Sequence, residues 1–119
     1  DIGIWTAGTL DYLPPSESEA SKYLKAKGLD AWIAEITEMI EMHHCIRSCK
    51  DSAFALVDAF RRADIADFSL GMVSMGIPAS LIAQAKAAFP NAGFHKQLLL
   101  LGTRWLFRHP LNPLPMFRR

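Results

Sequence analysis

Residues 30–44 read Asp30-Ala31-Trp32-Ile33-Ala34-Glu35-Ile36-Thr37-Glu38-Met39-Ile40-Glu41-Met42-His43-His44, and this run decides the fold class. Trp32, Ile36, Met39, Ile40 and His43 recur at spacings of three and four, which places them on one face of an α-helix. Asp30 stands where a helix N-cap is wanted. The helix therefore carries His43 and His44 to its C-terminal end.

Working outward from that helix, Gly28 sits where a preceding helix ends, and Ser16 with Glu19 has the form of a capping box. A helix over Glu17 to Lys27 follows. Residues 1–15 mix Gly3, Gly8, Pro14 and Pro15 with apolar side chains and read as an ordered, irregular loop. Downstream, small and basic residues from Cys45 to Asp51 interrupt the helical pattern. It restarts at Ser52, with Leu56, Val57, Phe60 and Asp64 in one stripe, so Asp64 faces inward. Gly71 and Gly76 bracket a short apolar stretch. Pro78 opens a helix to about Phe89, Pro90 closes it, and Asn91 caps a last helix from Ala92 to His109. Pro110, Pro113 and Pro115 make 110–119 an extended tail over the surface. Nothing reads as a strand, because Ala, Leu, Lys, Glu and Met dominate the periodic segments. The expectation is an all-α single domain over 1–119, with about five helices.

Composition narrows the function classes. Thirteen Lys and Arg against twelve Asp and Glu leave a formal net charge of +1, which gives no global field toward nucleic acid or an anionic membrane. The basic and aromatic residues Arg104, Trp105, Arg108, Phe117, Arg118 and Arg119 form no continuous stripe, and nucleic-acid binding is not expected. Apolar runs such as Leu98–Leu101 fall far short of the roughly 20 residues of a membrane span. The opening residues have no basic n-region followed by an apolar core, so they are not a secretory signal. Two cysteines four residues apart suit reduced thiols better than a disulfide scaffold, which favours the cytoplasm. The aromatic and methionine series Trp32, Phe94, Trp105, Phe107, Met39, Met42, Met72 and Met75 reads as core.

The donors for metal chemistry are concentrated at Asp1, at His43 and His44 beside Cys45 and Cys49, and at Asp58, Asp64 and Asp67. Spacing alone does not bring them together. Two antiparallel helices joined across 45–51 leave Asp64 about 11 to 18 Å of helical rise from the connection. The plain alternative is a buried histidine bonded to a backbone carbonyl and an aspartate paired with Arg61 or Arg62. A structural zinc knot of His43, His44, Cys45 and Cys49 is a further option, weakened by the lack of a second cysteine pair.

Three pieces of the chain carry a resemblance. Asp1-Ile2-Gly3-Ile4-Trp5 resembles the second half of the His-Asp motif of the HD-domain metal-dependent phosphohydrolases. Glu41-Met42-His43-His44 resembles their paired-His element, and Phe60-Arg61-Arg62-Ala63-Asp64 resembles the helix supplying their last metal-binding Asp. The stretches Thr6–Leu13, Ala88–His95 and His109–Met116 look like a small bacterial and fungal branch that includes cyanamide-hydratase-like proteins. The resemblance covers essentially the whole chain. It implies a bundle like the later part of an HD domain and a metal-dependent hydrolase, phosphohydrolase or hydratase-like, acting on a small molecule. It implies Asp1 and Asp64 as catalytic metal ligands, with His43 and His44 holding metal or substrate phosphate. The ion would be Mn, Fe, Mg or Zn, which these donors do not distinguish. Lys50, Arg61 and Arg62 would hold an anionic substrate. The family pattern also has an upstream metal-binding His and a His directly before the Asp, and this sequence contains neither. The chain is therefore expected to be the C-terminal portion of such a protein and impaired as an enzyme by itself. Truncation or processing, an omitted segment, and natural loss of catalysis are the competing explanations. A noncatalytic helical binding or oligomerisation module, a homo-oligomer or a partner of the missing segment, is the rival reading.

Overall fold

The computed structural model describes residues 1–112 and 114–117. It is all-α, as the periodicity predicts, with six α-helices among the described residues, in chain order: α1 Ile2–Ala7, α2 Leu13–Ala26, α3 Ile33–Met42, α4 Ala55–Phe68, α5 Ala79–Ala88 and α6 Phe94–Arg108. Short 3-10 turns lie at Asp30–Trp32 and Pro115–Phe117, and no strand occurs among the described residues. Helix α2 packs against α1 on one side and α3 on the other, and α3 packs against α4.

The first departure from the sequence reading lies at the N-terminus. Residues expected to form an irregular loop contain α1, which Gly8 ends in the left-handed conformation with its N–H on the Ile4 carbonyl. Helix α2 starts at Leu13, earlier than expected, because Pro14 and Pro15 sit in its first turn, where an N–H has no intrahelical acceptor. Ser16 is consequently not a cap. It is fully buried inside α2, and its hydroxyl oxygen accepts the main-chain N–H of Gly3 at 2.9 Å. Glu19 turns away to pair with Lys22 at 2.7 Å. Gly28 is left-handed as expected at the end of α2 (φ 69°), whereas Asp30 starts a 3-10 turn and makes no side-chain cap.

The second departure is the tail. Instead of an extended run, residues 110–112 and 114–116 turn back on the bundle: Trp105 Nε1 donates to the Asn112 carbonyl at 2.8 Å, and Met116 is buried with Leu10, Tyr12 and Leu13. Ile4, Ile40 and Trp105 pack around that cluster. Arg118 and Arg119, named above with the basic residues, lie outside the described residues. The expected core also shrinks. Phe107 is 87% and Met72 84% exposed, and Trp32 is more than half exposed.

Between α4 and α5 the chain makes two tight turns through consecutive left-handed residues, Leu70-Gly71 and Met75-Gly76. Side chains bind the carbonyls of the two non-glycine members: Lys86 Nζ donates to Leu70 at 3.0 Å and Arg62 Nε to Met75 at 2.7 Å. Those bonds offset backbone strain of roughly 1–2 kcal/mol per residue.

Candidate metal centre

Helix α3 ends at Met42, and the chain turns immediately, with Cys45 N–H on the Met42 carbonyl. His43 and His44 therefore leave the helix end on the side where α4 and the α1–α2 junction meet. Their rings lie close, with centroids 3.9 Å apart. His43 is buried, 6% exposed, and its Nδ1–H donates to the Ile40 carbonyl at 2.6 Å. A carbonyl can only accept, so Nδ1 carries a proton, and the ring turns its other nitrogen, Nε2, toward Asp1. That Nε2 stands 3.7 Å from Asp1 Oδ1.

His44 is arranged in the complementary way. Its Nε2 is hydrogen-bonded to the Tyr12 hydroxyl, and its Nδ1 faces Asp64 Oδ2 at 3.7 Å. Burial, reinforced by the neighbouring His43, holds the imidazole neutral, with its pKa pushed down to about 4. Burial raises the Asp64 carboxyl above its ordinary value, against the opposing pull of His43. Burial also raises the Tyr12 phenol, with Asp64 adding to the effect, so Tyr12 remains protonated.

Ligand atoms of His43, His44 and Asp64 all lie within 4.8 Å of one another. Two donors about 2.1 Å from a shared ion stand roughly 3.0 to 3.4 Å apart in octahedral or tetrahedral geometry. The 3.7 Å approach of His44 to Asp64 needs only small side-chain rotations to reach that spacing. Each imidazole has one nitrogen fixed by a protein partner and the other turned toward a carboxylate, the arrangement in which outer-shell bonds orient histidine ligands. When Nε2–H of His44 donates to Tyr12, Nδ1 carries a lone pair and faces Asp64. The donor chemistry therefore fits a divalent cation.

The sequence-derived residues divide into those brought together and those set apart. His43, His44 and Asp64 converge, and Asp1 joins them through His43 without belonging to the mutually close set. Arg61 is committed elsewhere. It is 2% exposed, its Nε and Nη2 donate to Asp58, and its Nη1 donates to the carbonyls of Cys45 and Ile46. Arg62 holds Met75, and Lys50 is exposed on the 43–54 connection. Cys45 and Cys49 are free thiols outside the close donor set, which gives the zinc-knot alternative no support. Arg104 and Arg108 line a separate small pocket of about 270 Å³ with Trp5 and Trp105, away from the histidines.

Two participants lie outside the candidate set read from the sequence, Tyr12 unnoticed there and His95 as readily a cap or surface residue as a ligand. Tyr12 is the partner of His44, yet in sequence it is simply an aromatic residue before two prolines. His95, at the start of α6, donates from Nε2 to the Phe68 carbonyl at 3.1 Å and lines the cavity beside the cluster. That cavity has a volume of about 590 Å³ and runs between α4, α6 and the returning tail. Tyr12, His44 and Asp64 lie at its polar end, and Phe68, Phe94, Leu98, Leu99, Leu106 and Met116 form its apolar wall.

No family model matches this chain, and neither the curated proteins nor the solved structures contain a match to it. No helix among the described residues is long and apolar enough to cross a membrane.

Proposed function

We propose that this chain forms the metal-binding part of a metal-dependent hydrolase of the HD type, acting on a small molecule in the manner of a phosphohydrolase or a hydratase. The observation that carries the reading is the convergence of His43 and His44, just past the end of α3, with Asp64, within α4, to within 4.8 Å of one another, two of the three lining a cavity. His43 through Nε2, His44 through Nδ1 and a carboxylate oxygen of Asp64 would hold Mn, Fe, Mg or Zn, with Asp1 adjacent. A bound divalent ion supplies Lewis acidity and a water of lowered pKa. Tyr12 and the Ile40 carbonyl fix the two imidazoles, and the neutral state of His44 keeps a lone pair for the ion across the physiological range. The free thiols of Cys45 and Cys49 support a reducing compartment such as the cytoplasm.

The test is elemental analysis of the purified chain after dialysis against each of the four ions, with Asp64→Ala and Asp11→Ala in parallel. One ion per chain, retained by Asp11→Ala and lost from Asp64→Ala, is the expected result. Equal occupancy in all three proteins would overturn the assignment.

The second reading, a noncatalytic helical binding or oligomerisation module, draws on the surface. The chain exposes 8251 Å², about a quarter more than the roughly 6,450 Å² that its mass predicts for a folded monomer. Helix α6 contributes heavily, with Leu99 69% and Phe107 87% exposed. Sedimentation velocity at rising concentration checks it, and a monomer throughout would remove self-association.

A further inference from the structure

The cavity beside the histidines says which substrates suit the proposed centre. Among the described residues, the charged side chains on its wall are the carboxylates of Asp1, Asp64 and Asp67, and no Lys or Arg lines it; the cation beside Asp64 is the main-chain amine of Asp1. The cations expected to receive an anion are placed elsewhere, Arg61 on Asp58 and two carbonyls, Arg62 on Met75, and Lys50 exposed on the 43–54 connection. A divalent ion held by His43, His44 and Asp64 would not reverse this balance, because its two charges are opposed by Asp1, Asp64 and Asp67. Beyond that end the wall is mostly aliphatic and aromatic, with His95 and Thr103 its neutral polar members, so a phosphate or carboxylate entering there would lose its water and meet no Lys or Arg among the described residues. The volume of about 590 Å³ falls in the range of small-ligand sites, which are mostly apolar with a few placed polar groups.

We infer that this cavity takes an uncharged small molecule with an apolar body, lying between Phe68, Phe94, Leu98 and Leu106, and a neutral polar end such as an ester or amide carbonyl directed at Tyr12 and His44. The substrate class replaces the anionic one that Lys50, Arg61 and Arg62 led us to expect. Its catalytic meaning rests on the metal-dependent reading above, whereas the charge preference of the cavity can be read in the metal-free chain.

Equilibrium dialysis with 2-naphthamide and 2-naphthyl phosphate, on the full chain with and without zinc, tests the inference. The amide should bind at least about tenfold more tightly than the phosphate in both states. Leu98→Trp, which fills the cavity, should weaken amide binding by about tenfold or more while the helical circular dichroism is unchanged. If Leu98→Trp does not fold, Leu106→Trp reads the same wall from another turn of α6. Equal or tighter binding of the phosphate in either state, no binding of either compound, or amide binding that survives the filling substitution would overturn the inference. Amide binding by a chain that retains none of the four ions would sink the metal reading and leave the cavity assignment standing.

Discussion

The main-chain N–H of Gly3 donates to Oγ of Ser16 at 2.9 Å, with the hydroxyl fully buried inside α2. That bond fastens α1, which is preceded by Asp1, to the helix that follows Tyr12. Two of the groups around the histidines are thus positioned by one contact that involves neither histidine.

Gly3 has no room for a side chain, since an added Cβ would stand 2.3 Å from the Tyr12 carbonyl and 2.8 Å from Ser16 Oγ. The Gly3→Ala substitution should therefore force α1 off α2 and cost about 1–3 kcal/mol in urea unfolding. Ser16→Ala leaves the buried N–H without its acceptor and should cost about 1–2 kcal/mol. Stability equal to the parent chain in both variants would show that α1 is not docked in this way.

Tyr12→Phe removes the hydroxyl bonded to His44 while keeping the buried ring. Zinc affinity, measured by competition with a chelating dye, should fall about 10- to 100-fold, the usual effect of losing an outer-shell partner. Stability without metal should drop by only about 0.5–1.5 kcal/mol. Unchanged affinity would exclude Tyr12 as the residue that orients His44.

Arg61→Ala strips Asp58 and the Cys45 and Ile46 carbonyls of a common partner and leaves a void at a site 2% exposed. A loss of about 2–4 kcal/mol is expected in thermal or urea unfolding. Arg61→Lys should recover only part of it, because an ammonium cannot span acceptors on both sides as the guanidinium fork does. A stable Arg61→Ala protein would contradict this structural role.

Acid should weaken the metal-free chain. The His44 pKa is pushed from 6.5 down to about 4, so the unfolded chain binds more protons there between those values. The stability His44 contributes is complete above pH 6.5 and is lost as the pH falls toward 4. Asp64 acts in the opposite sense. Its raised pKa gives stability at low pH that is lost as the pH rises from 3.8 through the raised value, which moderates the fall. Urea midpoints should decline between pH 6.5 and 4, and His44→Gln should flatten that slope. An unaltered slope in the variant would show that His44 is not held neutral by burial.

The helices around the centre were legible because they follow the 3.6-residue repeat. The Trp32-to-His43 spacing marks α3, the Leu56-to-Asp64 stripe marks α4, and Pro78 and Pro90 bracket α5. The N-terminal fifteen residues were not. Two prolines and two glycines look like loop signals, but proline in a helix's first turn costs no hydrogen bond, and Gly3 serves close packing. Ser16 and Glu19 match a capping box equally well whether or not the helix has begun three residues earlier, so local sequence could not separate a cap from a buried acceptor.

By itself, the sequence determined the helical class and the position of His43 and His44 at a helix end, because periodicity and helix-ending residues act over a few neighbours. Whether Asp64 meets His44, whether Tyr12 holds it, and whether Arg61 faces a ligand or the backbone were decided only in three dimensions. Those relationships join residues 16 to 32 positions apart through the packing of α1, α2, α3 and α4, and no short-range pattern encodes which side chains such packing brings together.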